Sequence, residues 1–305
     1  MKTFNNILII GMGLIGSSIA RALKKNDNAI KVFGVDNNSE VITKCKNLKI
    51  VNDCKSKIVE FSEQFDLIII CSPLSTYKEI FSVLNDYISK ETFITDVGST
   101  KVSVINDFKE ICSNNNITFV PSHPIAGLEK SGPEYGFAEL FENRYCILTP
   151  INKDENFIST IKTFWESIGM KIETMDAAYH DRVLAMTSHI PQLIAYSIVF
   201  TANELEEQLK DEVIKFSAAG FRDFTRLAGS DPIMWRDIYS MNKDAVIEML
   251  GRFTEDLTTL QKSIRNNDKD FLEKTFSSTK EIRKKIELLG QAGSFDPTEK
   301  NVKKS

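Results

Sequence analysis

The sequence predicts an α/β chain, a doubly wound parallel sheet followed by an all-α C-terminal domain, and three observations carry that reading. Short β-branched runs alternate with helical stretches from Ile7 to about Met175, a pattern that calls for a parallel sheet covered on both faces. A glycine-rich turn closes the first of those runs. After Asp176 no strand pattern remains, and long amphipathic stretches take over.

The strands expected are Asn6 to Ile10, Lys31 to Val35, Leu67 to Cys71, Phe93 to Asp96, Thr118 to Pro121, Arg144 to Thr149 and Lys171 to Thr174. Several are continuous apolar runs suited to burial on both faces, and the seven together make one large sheet. Helical stretches are expected from Ala177 to Leu209, from Asp231 through Leu260 and from Lys269 to Leu289. Ile247, Leu250, Phe253, Leu257 and Leu260 recur at three- and four-residue steps, a stripe that needs another helix against it. An internal core is the default cover, and a dimer interface is the alternative. The expected division is residues 1–176, then a helical domain over 177–290, then a flexible tail over 291–305 rich in Gly, Lys, Asn and Ser.

Composition narrows the function classes. A chain of 305 residues is about twice the ~150-residue domain norm, which agrees with two domains. Its 42% hydrophobic and 26% charged residues are those of an ordinary globular protein. The net charge of −4 and the absence of a basic arm give no footprint for nucleic acid. The N-terminus lacks the basic, apolar and small-residue regions of a secretory leader, and the apolar run Leu67 to Cys71 is far short of the roughly 20 residues a membrane span needs. A cytoplasmic protein with no membrane partner is expected. Cys45, Cys54, Cys71, Cys112 and Cys146 are odd in number and scattered without metal-ligand or redox spacing, so reduced, structural thiols are expected.

The cofactor signature lies where the first expected strand meets the first helix. Gly11-Met12-Gly13-Leu14-Ile15-Gly16 follows Ile7-Leu8-Ile9-Ile10 and opens a helical run. Gly11 permits the tight turn, Gly13 lets a pyrophosphate approach the backbone, and Gly16 lets helix and strand pack closely. The helix N-terminus then receives the phosphate charge. A Rossmann-type dinucleotide site follows from this context. Asp36 ends the second strand 20 residues after Gly16, where a carboxylate would accept the adenosine ribose hydroxyls. It would repel a 2′-phosphate, and Asn37-Asn38 supplies no compensating arginine, so NAD is favoured over NADP. A solvated turn carboxylate is the plainer reading of Asp36. Cys71-Ser72-Pro73 and Asp96-Val97-Gly98-Ser99-Thr100-Lys101 follow two further strands and point to the same crevice. Ser99 equally suits a helix cap.

His123, in Pro121-Ser122-His123-Pro124-Ile125-Ala126-Gly127, is the candidate catalytic base. Hydride leaves a secondary alcohol carbon readily only if the hydroxyl proton is accepted at the same time, and imidazole suits that task. The competing reading is a structural histidine hydrogen-bonded in a loop.

Five segments, at 11–17, 96–101, 123–127, 188–191 (Ser-His-Ile-Pro) and 221–237 (Phe-Arg-Asp-Phe-Thr-Arg followed by Asp-Pro-Ile-Met-Trp-Arg-Asp), together resemble the prephenate/arogenate (cyclohexadienyl) dehydrogenase family of tyrosine biosynthesis. The resemblance implies a nucleotide-binding domain and an all-α C-terminal dimerisation domain, a homodimer, and a small-molecule substrate, prephenate or arogenate. It implies oxidative decarboxylation with hydride transfer to NAD and no metal. His123 then matches the residue that takes the ring hydroxyl proton, and Ser99 a serine near that hydroxyl and the nicotinamide. Arg226 matches the arginine that grips the ring carboxylate, a role suited to a forked guanidinium, with Arg222 a weaker candidate. His189 and His180 match histidines of the family pattern and are assigned to substrate contact or orientation, and Ser188, Gln192 and Trp235 are taken as further substrate contacts. On a continuous helix Asp181, Ser188 and Gln192 lie within about 40° of one face, with a surface ion pair to Arg182 as the plainer reading of Asp181. Pro191 is expected to bend that helix. The family often has histidine where this chain has Gln192, and often a small polar residue where it has Leu128, so substrate preference stays open; Glu129 follows the family.

Two other classes compete. A β-hydroxyacid dehydrogenase or imine reductase would usually place a catalytic lysine in the helical half, and the His123 and 221–237 segments argue against it. A nucleotide-sensing module without turnover is disfavoured by the intact His123, Ser99 and Arg226 set. No segment resembles an appended chorismate mutase or amino-acid-sensing domain.

Overall fold

Alternation along single strands builds the first sheet and its two cores. In β1 (Asn6–Ile10), Ile7 and Ile9 enter one hydrophobic cluster while Leu8 and Ile10 enter the other, since successive side chains of a strand point to opposite faces. The same division runs through β4 (Leu67–Ile70), with Leu67 and Ile69 on one side and Ile68 and Ile70 on the other. Each such side chain leaving water contributes about 1.5–3 kcal/mol. The structure, a computed structural model, describes residues 4–27, 29–128, 130–152 and 154–288. Glu129 and the expected tail 291–305 lie outside the described residues.

Between and beyond these strands come β2 (Lys31–Val35), β3 (Asp53–Lys55), β5 (Thr92–Asp96) and β6 (Ile117–Phe119). They form a parallel six-stranded sheet in the order β3-β2-β1-β4-β5-β6, that of a dinucleotide-binding fold whose crevice opens where the order reverses, between β1 and β4. Helices α1 (Leu14–Asn26), α2 (Ser39–Asn47), α3 (Tyr77–Tyr87) and α4 (Val102–Ile111) connect these strands. The expected single seven-stranded sheet is thus corrected: nine strands lie in two sheets among the described residues. The second sheet joins β7 (Ser122–Pro124), β8 (Tyr145–Leu148) and β9 (Lys171–Thr174), with β7 antiparallel to β8 and β8 parallel to β9, and α5 (Glu155–Ser167) precedes β9. Strands β3 and β7 escape the pattern because three residues carrying Asp and Lys, or Ser, His and Pro, show no apolar alternation.

The expected helix from Ala177 to Leu209 is interrupted. Helix α6 (Ala177–Leu184) passes into a π-helical turn over Ala185–His189, and α7 (Ile190–Asn203) resumes. Pro191 cannot donate its share of the helical ladder, and a π turn is one way a helix absorbs such a mismatch, often at functional sites. The run Ala177–Asn203 is long and apolar enough to cross a membrane by length and composition, an 18-residue window within it having mean hydropathy 1.4, so the sequence-based expectation of no such run is corrected. Its His180, Asp181, His189 and Gln192 are buried, and Asp181 and Gln192 bond to backbone outside the run. Helices α8 (Glu207–Lys215), α9 (Ala219–Thr225) and α10 (Pro232–Met241) follow. The expected helix from Asp231 through Leu260 breaks at Asn242, after which α11 (Lys243–Arg265) and α12 (Lys269–Leu288) complete the described residues.

The described residues up to Val246 make one compact unit and those from Ile247 another. In the second unit no residue of the stripe is buried: Ile247 is 57% and Leu257 53% exposed, and Leu250, Phe253 and Leu260 are half-buried. The default expectation of an internal core for this stripe is therefore not met within one chain. Helix α12 buries none of its residues either.

Candidate active site

Gly11 has φ +95°, and a Cβ there would stand 2.6 Å from the Cys71 carbonyl carbon and the Ser72 nitrogen. Only glycine lets β1 turn this close to the end of β4. A Cβ on Gly16 would meet the Gly11 oxygen at 2.1 Å, so the third glycine closes helix onto turn. Gly13 differs: its Cβ position has no atom within 4 Å. It caps α1 without a side-chain hydrogen bond, and no acid occupies the first turn of α1. An open approach, uncapped N–H groups and no competing anion fit a pyrophosphate. Met12 is buried and Leu14 nearly so, with Ile15 half-buried, which anchors the turn. Asp36 is half-buried and is no freely solvated turn carboxylate: its Oδ2 accepts the Met12 N–H at 2.9 Å and its Oδ1 the Asn38 N–H at 2.9 Å. It thereby braces the turn beside which the adenosine ribose would lie. Ser72 is held by the Thr76 hydroxyl, which donates to it at 2.9 Å, and Pro73 is exposed.

The end of β5 is tied directly to the histidine strand. The Asp96 carboxylate accepts the Ser122 N–H at 3.0 Å, and the Ser122 hydroxyl donates to the Asp96 carbonyl at 2.7 Å. Trp165 Nε1–H donates to the Ser122 hydroxyl oxygen at 3.0 Å. Lys101, fully buried, reaches Asp96 Oδ2 at 2.6 Å and the Ser122 carbonyl at 2.7 Å. Ser99 is half-buried beside this network and does not cap α4: Lys101 holds the N-cap position, and the capping acceptor comes from α6. There Asp181 accepts the Lys101 and Val102 N–H groups at 2.8 and 2.9 Å. Asp181 is 3% exposed, which excludes the surface ion pair.

Hydrogen-bond partners fix the tautomers. Asp181 Oδ1 lies 2.8 Å from His180 Nδ1; a carboxylate only accepts, so Nδ1 carries the proton and Nε2 of neutral His180 is an acceptor. His180 Nε2 lies 2.9 Å from His123 Nδ1, which therefore donates. The chain Asp181–His180–His123 leaves Nε2 of His123 as the basic atom. Burial, then the His180, Lys101 and His189 charges, hold His123 well below the usual imidazole range, so it stays neutral.

The third buried imidazole is His189. Asn242 gives one amide hydrogen to the Asp181 carbonyl at 2.8 Å and the other to His189 Nδ1 at 3.1 Å, so His189 carries its proton on Nε2. That nitrogen and Trp235 Nε1 are buried donors without a hydrogen-bond acceptor among the described residues. Their rings sit 6.0 Å apart, edge to face. Unpaired buried donors cost roughly 1–3 kcal/mol each, so the pair calls for a ligand oxygen. Burial lowers His189 to about 4, outweighing the Asp181 carboxylate, which raises it, with a smaller lowering from His180.

The remaining expected contacts are placed less centrally. Ser188 is half-buried in the π turn, which alters the face shared with Asp181 and Gln192. Gln192 is 2% exposed, and its Nε2–H donates to the Leu227 carbonyl at 2.7 Å, fastening the Arg226–Gly229 turn to α7. Arg226 and Arg222 are exposed at the end of α9, Arg222 with a 3.5 Å contact to Asp223. Lys101, Ser122 and Asn242 were not among the predicted site residues. Lys101 had a signal in the Asp-x-Gly-Ser-x-Lys motif; Asn242 had none, because it lies in what reads as a continuous helix.

Residues 19–174 match the family described as prephenate dehydrogenase, nucleotide-binding domain, and residues 176–278 the prephenate dehydrogenase dimerization domain. A cyclohexadienyl dehydrogenase of Zymomonas mobilis is 37% identical over 93% of this chain and 96% of its own. A Bacillus subtilis prephenate dehydrogenase is 32% identical over 93% of this chain and 76% of its own. Among solved structures, Aquifex aeolicus prephenate dehydrogenase in complex with hydroxyphenyl propionate and NAD+ superposes with a TM-score of 0.87 at 34% identity, covering 93% of this chain and 99% of that one. The glycine turn, the buried histidine relay and these matches agree, and the chain belongs to the prephenate dehydrogenase family of NAD-dependent enzymes.

Proposed function

We propose that this chain oxidatively decarboxylates a cyclohexadienyl acid, prephenate or arogenate, in tyrosine biosynthesis, with NAD as hydride acceptor. The observation that carries the reading is the relay Asp181–His180–His123, which presents an unprotonated imidazole nitrogen on a strand tied to the end of β5. Gly11, Gly13, Gly16 and Asp36 would hold NAD, which when bound would supply a two-electron acceptor. His123 Nε2 takes the ring hydroxyl proton as the C–H bond is lost and the oxygen becomes a carbonyl. The bond to the ring carboxylate then breaks, carbon dioxide leaves, and the ring becomes aromatic. Aromatisation drives the reaction, so alignment is the main task of the protein.

Ser99 is assigned to the hydroxyl end of the substrate, and Arg226, assisted by Arg222, to the ring carboxylate. His189 Nε2–H and Trp235 Nε1–H are assigned to substrate oxygens, and Ser188 to the same end of the site. Gln192 is assigned to substrate selection through its hold on the Arg226–Gly229 turn. Residues 1–176 are taken as the nucleotide domain, and 177–290 as the helical domain that forms a cytoplasmic homodimer. The exposed apolar stripe on α11, together with Phe276 and Ile282 at 55% on α12, supports a second copy as its cover.

The test is the initial rate of cofactor reduction by purified protein, with prephenate and arogenate each offered alongside NAD or NADP, and His123→Asn as control. Rapid NAD reduction with either acid, lost in the control, is expected. No reduction with any pair, by protein shown to bind NAD, would sink the proposal.

A further inference from the structure

A fully buried lysine needs a reason, because an ammonium taken out of water must be repaid by close partners. The Lys101 ammonium has two, and they belong to different sheets. Asp96 Oδ2, 2.6 Å away, ends β5 of the parallel sheet, and the Ser122 carbonyl, 2.7 Å away, belongs to β7 of the second sheet, one residue before His123. The lysine main chain is held as well, since its N–H donates to Asp181, the carboxylate that orients His180. One residue therefore touches the strand end beside the cofactor crevice, the strand carrying the base, and the anion behind the base.

We infer that Lys101 is a positioning residue for the reaction proposed above: its ammonium fastens the His123 strand to the end of β5 and places a cation beside that strand. This rests on the reading of His123 as that base. The groups around His123 are Lys101 from the β5–α4 loop, Asp96 at the end of β5, His180 and Asp181 on α6, His189 in the π turn and Cys146 on β8. Of these, Lys101 brings the ammonium, paired with Asp96, and a nearby cation disfavours imidazolium. Without it the imidazole holds its proton to higher pH, and without the tether the strand carrying His123 is less exactly placed.

The test compares Lys101→Met, and the charge-neutral pair Lys101→Met with Asp96→Asn, against the wild-type chain. The double variant leaves no buried ion unpaired and so retains the fold if the single one does not. Two readouts are taken. The ligand-free proteins are titrated by imidazole NMR, with the three histidines assigned by single His→Asn variants, and the pH profile of kcat/KM is measured alongside NAD affinity. The expected result for Lys101→Met is a His123 titration and an acidic limb both moved up by about one pH unit, and for both variants kcat lowered at least tenfold with NAD affinity within threefold of wild type; in the double variant the two lost charges offset each other, so kcat is its readout. An unmoved His123 titration in folded Lys101→Met overturns the inference, as does a kcat within twofold of wild type in the double variant, or a loss confined to NAD affinity or to thermal stability. Absence of turnover by the wild-type chain is a separate result, which defeats the proposed function and leaves the NMR comparison to judge Lys101.

Discussion

Replacing Asp181 with asparagine probes the relay behind His123 with almost no change of shape. Three donors converge on this carboxylate: the Lys101 and Val102 N–H groups at 2.8 and 2.9 Å and His180 Nδ1–H at 2.8 Å. Lys101 and His180 share Oδ1, while Val102 has Oδ2. An asparagine oriented with its oxygen in the Oδ1 position keeps the first two bonds and so preserves the His180 tautomer. Its NH2 then faces the Val102 N–H, leaving a buried donor unpaired at a cost of roughly 1–3 kcal/mol. Loss of the anion from the N-terminus of α4 adds about 0.3–1 kcal/mol. Unfolding free energy is therefore expected to fall by about 1–4 kcal/mol, read by urea denaturation followed by circular dichroism. The rate falls for a different reason. When His123 takes a proton, the positive charge is shared with His180 and stabilised by Asp181, and a charge-assisted bond of this kind contributes ~1.5–3 kcal/mol. The expected loss in kcat is about 10- to 100-fold, measured at saturating NAD and prephenate, with KM for NAD nearly unchanged. A kcat within twofold of wild type in a variant of lowered stability would refute the relay and leave Asp181 as only a helix cap.

Other perturbations follow from the same geometry. Gly16→Ala places a Cβ where the Gly11 oxygen stands 2.1 Å away, so NAD binding by calorimetry is expected to weaken at least tenfold; unchanged affinity would disprove the close packing of helix on turn. Burial depresses His123, His180 and His189, the last from 6.5 to about 4. Because these folded-state values are lowered, their stabilisation is complete above pH 6.5 and is lost as pH falls. For His189 the loss is about 3 kcal/mol by pH 4. Denaturation midpoints measured across that window should decline, and His189→Asn should flatten the decline; equal slopes in the two proteins would contradict a neutral buried His189. Gln192→Ala removes the bond to the Leu227 carbonyl and is expected to raise KM for the cyclohexadienyl substrate several-fold while sparing NAD affinity. An unaltered KM would show that the Arg226–Gly229 turn holds itself.

What was readable along the chain were features whose physics is local. Strands β1, β2 and β9 match their expected limits, and the glycine turn declared its helix and its anion, because each depends on neighbours within a few residues. Asp36 and His123 stood out as chemistry at strand ends. The family segments pointed to His189, Trp235 and Arg226, but not to how any of them is held. Tertiary structure alone decided the rest. Strand β7 exists because Ser122 and His123 pair with Leu148 and Ile147, partners no local pattern can name. The π turn before Pro191 reset which side chains share a face of the 177–203 run. The break at Asn242 delivered an amide to both Asp181 and His189, and Asp181 proved to cap a helix that begins 79 residues earlier in the chain. The pairing of Lys101 with Asp96 and Ser122, and the tautomers of all three histidines, likewise arise from contacts between distant segments. A residue type shows which proton it can carry; only the partners assembled by folding determine which atom carries it.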